Sequence, residues 1–547
     1  MDDSHRLSLL RTFALCAASA YIDLVIAVQG AYFVPAVYDG GVSRDYGPVL
    51  LAASPIMIII LQNYLGTASD RCTCVWGRRR PFILALTISC VLGLLIFPFT
   101  SDLSTLISDE TASRWVFIVL VIIAAILVDC SVVSVQVPLR AYLLDVLPQE
   151  QLVIGNIIFS SFAMLGATVS FGVGAVNWSA IFTSSDNLNT QVKFVCGIAI
   201  VITIVLTLIT LCSVKEQRLN HNTENNNINV KEVVHVSHPL PSSTDGDEIL
   251  SVIDIPENNI KHFSYNDITI LPYGNYVTDN FHTGIGYGDD NQNCLKKNLY
   301  NLIIGNLQFI SHISSSMAIL CVACFLIMIM WCTQIYFLTH YVGEVVYDGD
   351  PFAPENSTAY QDYVEGVKVG SLVLGISAFS GFVFLLVLGP VIKLVGIRPM
   401  FVLPYVLMML QSGILIISHN LIVVIVLSPA VYIVTVQFLT FPQMLMSMYQ
   451  AKGLLLRKKW PYSDTNFFGR AYSLIVICMQ TAKIISFSVN GPLMEAYGSA
   501  VSIMIFTCAV SFVGAVVACF VTVPPLSKKM SSDKKVKLVL SGLGSKV

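Results

Sequence analysis

The sequence predicts an all-α membrane protein of twelve transmembrane helices, arranged as two six-helix halves with both termini in the cytosol. Three observations carry this reading. Hydrophobic residues make up 55% of the 547-residue chain and charged residues 12%. A soluble domain carries roughly 25% charge, so this chain has too little polar surface to coat a globule in water. Apolar runs of the length needed to cross a hydrocarbon core, roughly 20 residues, recur twelve times. Lysine and arginine gather on one side of those runs.

The expected spans cover about 12–37, 47–68, 82–100, 115–139, 152–176 and 194–213 in the first half. The second half holds 313–339, 369–392, 401–418, 421–449, 471–494 and 499–523. Ser418-His419-Asn420 reads as a tight external turn between two of them. The first run is too long for a signal-peptide core and more spans follow it. Residues 1–213 and 309–523 are therefore the two halves. Between them, 214–308 is rich in Asn, Ser and Asp and reads as a disordered cytosolic linker. Asp245 to Leu250 and Tyr265 to Ile268 resemble short sorting signals of a kind that also arise by chance. Residues 524–547 form a basic cytosolic tail.

Orientation follows from the basic residues. With both termini inside, 26 of 31 lie on the cytosolic side. Arg44, Arg114, Lys193 and Lys368 fall outside, and Lys483 lies within a span. The sequons at Asn356 and Asn177 fall on the external side, as glycosylation requires, though Asn177 is very close to its span. The fourteen cysteines avoid the external loops, so no structural disulfide is expected. Cys72 and Cys74 read as incidental thiols and not a metal site.

The halves echo each other. Gly66-x-x-x-Asp70-Arg71 leads to Gly77-Arg78-Arg79-Arg80-Pro81 after the second span. Gly389-x-x-x-Lys393 leads to Gly396-x-Arg398-Pro399 after the eighth. Repeated halves with a site between them is a transporter arrangement. Gly66 permits close helix packing, and Asp70 suits a neighbouring helix N-terminus. Arg71, Gly77, Arg78, Arg79 and Arg80 suit a cytosolic gate clamp made in one state and broken in another. A plain positive-inside anchor is the simpler alternative.

Ionised groups at mid-membrane are costly, so each needs a reason. Asp129 lies near the middle of span 4. Gln136 and Arg140 return to within about 20° of it on the helix, forming one stripe. A carboxylate, an amide and a guanidinium together suit a hydroxyl-rich ligand. Asp129 also fits a buried protonated structural acid, and Arg140 fits snorkelling to the inner headgroups. Asp23 is mid-span in helix 1, as a cavity residue or a buried acid. Gln29 lies about 120° around from it. Lys483, mid-span in helix 11, is a substrate contact, a counter-ion for Asp23 or Asp129, or a hydrogen-bonded neutral amine. His340, at the outer end of span 7, is a second titrating group or a solvated interfacial side chain.

Ser69-Asp70-Arg71-Cys72 with Trp76 to Phe82 resembles the signature of the sucrose/proton symporter-like family of the major facilitator superfamily. That glycoside-pentoside-hexuronide group includes the animal proton-associated sugar transporter and membrane-associated transporter branch. Val28 to Tyr32 with Pro35, Pro138 to Asp145, and Tyr347 to Pro351 with Asn356-Ser357 are similar too. The resemblance spans most of the membrane segments and neither the linker nor the tail. It implies the superfamily fold, with Asp129 as proton carrier and Arg140 as sugar-binding arginine. Sucrose symporters hold an Asp and an Arg at the same eleven-residue separation. The chain departs from the animal branch in having Gln29 for a Glu, His340 for an Asp, and Met448-Tyr449-Gln450 for Glu-Tyr-His.

These readings point to proton-coupled symport of a sucrose- or glucose-like sugar by alternating access, with protons as coupling ion and no cofactor. A facilitator, a carrier of another solute and a transport-inactive sensor are the competing readings. No protease, hydrolase or phosphate-loop motif marks an enzyme, and no basic stripe marks a nucleic-acid binder. The expected partners are the sugar and the bilayer, with the monomer as working unit. The plasma membrane is the first expectation for location and an acidic organelle the second.

Overall fold

The computed structural model describes residues 8–70, 72, 74, 76–148, 151–178, 181, 187–214, 312–456 and 467–524, with side chains left undescribed at 62–70, 144, 152–153, 451 and 467–470. The linker and tail expected from sequence lie outside these residues, apart from the linker's edges.

The first half contains α1 (Leu9–Asp39), α2 (Ala53–Asp70, after a 3-10 turn at Pro48–Ala52), α3 (Arg80–Ile96, continued to Thr105), α4 (Glu110–Val146), α5 (Leu152–Ala175) and α6 (Leu188–Ser213). The second contains α7 (Ser315–Tyr341, extended by a π-helical turn at Val342–Val346), α8 (Thr358–Val395), α9 (Ile397–Ile417), α10 (Leu421–Gln450), α11 (Phe467–Tyr497) and α12 (Val501–Cys519). Among the described residues, eleven helices are long and apolar enough to cross a membrane. The described apolar part of the expected second span is the shorter Pro48–Leu61.

Local sequence explains where these helices begin. Asp109, Asn187, Ser314, Ser357 and Asn420 each accept a backbone N–H of the first turn of α4, α6, α7, α8 and α10, satisfying donors that a helix leaves open. Asn420 thereby closes the three-residue turn expected at Ser418 to Asn420. Burial is inverted relative to a soluble protein. Leu394, Ile417 and Leu208 are exposed, while Gln334, Gln437 and Asn490 are buried. Apolar surface costs nothing against lipid tails, and polar groups find partners only inside the bundle.

The eighth span starts earlier than expected. The sequence places Lys368 in the external loop, but α8 begins at Thr358 and Lys368 is buried within it. Ser357 supplies the cap that starts the helix (Tyr360 N to Oγ, 3.2 Å), and polar residues in its first turns masked the helix in a hydropathy reading.

Several hydrogen bonds between the halves lie at the end carrying the 1–2 and 7–8 connections. Tyr360 donates to Asp39 (2.6 Å), Thr339 to the Ala31 carbonyl (2.8 Å) and Ser371 to the Phe171 carbonyl (3.0 Å). Gly30 lets α1 meet α7, because a Cβ there would sit 2.6 Å from Ile335 Cγ2.

Candidate transport site

Asp129 is 2% exposed, turned into the bundle and away from lipid. Its Oδ2 has no hydrogen-bond partner. A buried carboxylate oxygen left alone is expensive, so this position calls for a proton, a cation or a ligand.

Arg140 is not that cation. Eleven residues of helix put it about 16 Å along the axis from Asp129, beyond the reach of a guanidinium. Its guanidinium lies over the Phe159 ring of α5, 5.1 Å from the centroid. Its charge acts on Asp23 of α1 and on Tyr472 of α11. Asp23 is half-buried with an unpartnered Oδ2. The other half carries a buried charge of its own. Lys483 of α11 is 4% exposed, and its Nζ lies 5.9 Å from the centroid of the Tyr336 ring. Asp129 acts electrostatically on Tyr336, and both Asp129 and Lys483 act on Cys130 and on Cys332. Asp23 thus feels the charge of Arg140 within the first half, while Asp129 and Lys483, from opposite halves, act on the same buried groups.

Several polar groups near this level were not singled out from sequence. The Tyr336 hydroxyl and the Gln334 and Gln480 carbonyl oxygens are buried without partners. Thr333, Ser486 and Asn490 form a buried network: Thr333 Oγ1 and Ser486 Oγ are 3.0 Å apart, and Asn490 Nδ2 donates to Thr333 Oγ1 at 3.2 Å. Gln480, Lys483, Ser486 and Asn490 recur every three or four residues, a polar face on an apolar helix. That periodicity was a readable signal. Gln29 is buried with both amide atoms unpartnered, and Gln136 is half-buried on α4.

His340 is not a solvated interfacial side chain. It is fully buried, with Nδ1 2.9 Å from the Tyr363 hydroxyl and Nε2 3.1 Å from Glu344 Oε2. The π-helical turn following α7 continues the chain past His340, so it is one turn from the helix end it was read to occupy.

The arginine motif ties elements within the first half. Arg78 Nη2 pairs with Asp145 Oδ2 at 2.6 Å, and Arg79 Nε with the same oxygen at 3.4 Å. Arg80 donates to the Tyr142 hydroxyl (3.1 Å) and to the Val214 carbonyl. Arg79 and Arg80 are buried, unlike arginines that snorkel to headgroups. Gly77 has φ 129, which favours glycine. Gly66 and Asp70 lie in α2, the Asp70 side chain and all of Arg71 being outside the described residues. The echo motif repeats the tie: Arg398, at the start of α9, donates to the Cys519 carbonyl at the end of α12 (2.5 Å), as Arg80 does at the end of α6. Asn356 is exposed in the turn before α8, and Asn177 is half-buried just after α5.

The sequence profile of the Major Facilitator Superfamily matches residues 13–454. The chain is similar to the membrane-associated transporter protein of Mus musculus, at 24% identity over 90% of this chain and 89% of that protein. It is similar to proton-associated sugar transporter A of Homo sapiens at 24% identity, over 90% and 83%. Both names match the branch read from the motifs. Among solved structures, a D-xylose-proton symporter superposes with a TM-score of 0.56 at 12% identity, over 94% of this chain and 98% of that one, a likeness of fold.

Proposed function

The chain belongs to the major facilitator superfamily and is a transporter rather than an enzyme, and from that premise we propose that it carries a sugar together with a proton by alternating access. One observation carries the proposal: the buried Asp129 carboxyl, with an unpartnered Oδ2, shares its buried surroundings with Lys483 of the opposite half. Ionised Asp129 attracts Lys483 and draws the halves together at mid-membrane. A proton on Asp129 removes that attraction and frees Lys483 and Tyr336 for sugar oxygens. Asp23, Gln29, Gln136 and Arg140 complete the polar lining, with Arg140 oriented by Asp23.

The arithmetic is favourable. A proton crossing 100 mV supplies roughly 2.3 kcal/mol, and one pH unit about 1.4 more. The total sustains a solute gradient of several hundredfold. With both termini cytosolic, the end where Arg44 meets Glu344 is external. The plasma membrane and a monomeric working unit complete the proposal.

The test is sugar accumulation by Asp129→Asn in proteoliposomes under an imposed pH step. Accumulation is expected to vanish while equilibrating uptake persists. Accumulation at the parental level would remove Asp129 as the coupling group.

A facilitator is the second reading, and Lys483 is the observation that favours it. The charge of Lys483 balances that of Asp129 with no proton taken up. Alkalinisation of the medium on adding sugar separates the readings, since only the symporter takes up protons.

A further inference from the structure

We propose that Glu344 is a positioning residue for the transport step, the centre of a latch that holds one end of the bundle shut. It sits in the π-helical turn Val342–Val346, where the Tyr347 N–H reaches back to the Val342 carbonyl (3.1 Å). Such turns re-aim side chains and are frequent at functional sites. Here the turn aims one carboxylate at three different elements.

Across the halves, Arg44 in the connection after α1 reaches both oxygens, Nη1 to Oε1 and Nη2 to Oε2, each at 3.3 Å. Within the second half, the Ala500 N–H, immediately before α12, donates to Oε1 at 3.0 Å. On the helix itself, His340 Nε2 lies 3.1 Å from Oε2, and Tyr363 of α8 holds the opposite ring nitrogen. Tyr38 of α1 packs edge-on against the His340 ring, 4.9 Å between centroids. Gly343 admits Tyr363, since a Cβ there would lie 2.8 Å from its ring. Arg44 itself lies over the Phe352 ring, 5.6 Å from the centroid. Glu344 thus joins α7, the start of α12 and the first half through one charged group.

Charge-assisted bonds of this kind are stronger than neutral ones. They exist only while this end is closed, because Arg44 moves with the first half. Removing the charge therefore weakens the closed state selectively. Directly beneath the latch, the buried Thr339 donates to the Ala31 carbonyl across the halves and becomes reachable only when the halves part there. The inference rests on the alternating-access reading, but on neither the solute nor the coupling ion.

The experiment uses purified full-length protein carrying Thr339→Cys as a reporter thiol, alkylated by a charged maleimide and quantified by peptide mass spectrometry. Cys90 and Cys324, buried within single halves, serve as internal controls. Glu344→Gln should raise the alkylation rate of the reporter by about tenfold, a typical coupling between two states, while both control thiols keep their rates. Arg44→Gln, which removes only the cross-half part, should act in the same direction and decides the matter if Glu344→Gln fails to fold. A folded variant with an unchanged reporter rate overturns the latch. A rise shared equally by the controls also overturns it, since that marks general loosening. Asp129→Asn, tested separately by sugar accumulation, bears on the transport reading alone.

Discussion

The two ends of the bundle are tied in different ways. At the motif end, several arginine contacts lie within a half. Arg78 and Arg79 hold Asp145, Arg80 holds Tyr142 and Val214, and Arg398 holds Cys519. At the other end contacts run between halves: Arg44 to Glu344, Tyr360 to Asp39, Thr339 to Ala31 and Ser371 to Phe171. The first set can persist through any rocking of one half against the other. The second must break when that end opens. Arginines of the repeated motif thus brace each half, and the contacts across the halves come from residues outside it.

That contrast can be broken by experiment. The largest effect is expected for Asp145→Ala, which removes the carboxylate that two arginines share, one of them buried. Removing one partner of such a pair costs about 3 kcal/mol, read as a lowered melting midpoint with the rate of reporter alkylation at Thr339→Cys little changed. A shifted reporter rate with an intact midpoint would make the motif a gate after all. Gly30→Val comes next. It forces a methyl against Ile335 across the halves, an overpacking cost of about 2 kcal/mol that opening relieves. Faster reporter alkylation with a preserved midpoint is expected, and a lowered midpoint alone would show that this contact never parts. The smallest effect is Tyr360→Phe, which removes one bond to the Asp39 carboxylate. About 1.5 kcal/mol is lost, and reporter alkylation should rise less than in Glu344→Gln. A larger rise would move the centre of the latch to Asp39.

Much of the site was legible because its cost is local. Asp129, Asp23, Lys483 and Arg140 stand out as charges in apolar runs, and any such charge needs a reason wherever its helix packs. Their pairing was not legible. The stripe on α4 offered Arg140 to Asp129 by angle, but the rise of the helix separates them. Lys483 lies more than 350 residues away in sequence, and only packing brings α11 to α4. His340 was misjudged for a related reason. Hydropathy ends α7 near it, whereas the π-helical turn and Tyr363 enclose it.

The sequence by itself determined the membrane class, the repeated halves and the list of buried charges. These depend on composition, on residues a few positions apart and on the solvation cost of single groups. Only the tertiary structure decided that Asp129 and Lys483 act on the same buried groups, that Arg78 and Arg79 share Asp145, and that Arg44 meets Glu344 across the halves. Those facts depend on contacts between helices distant in the chain, where an ångström of approach separates a partner from a bystander.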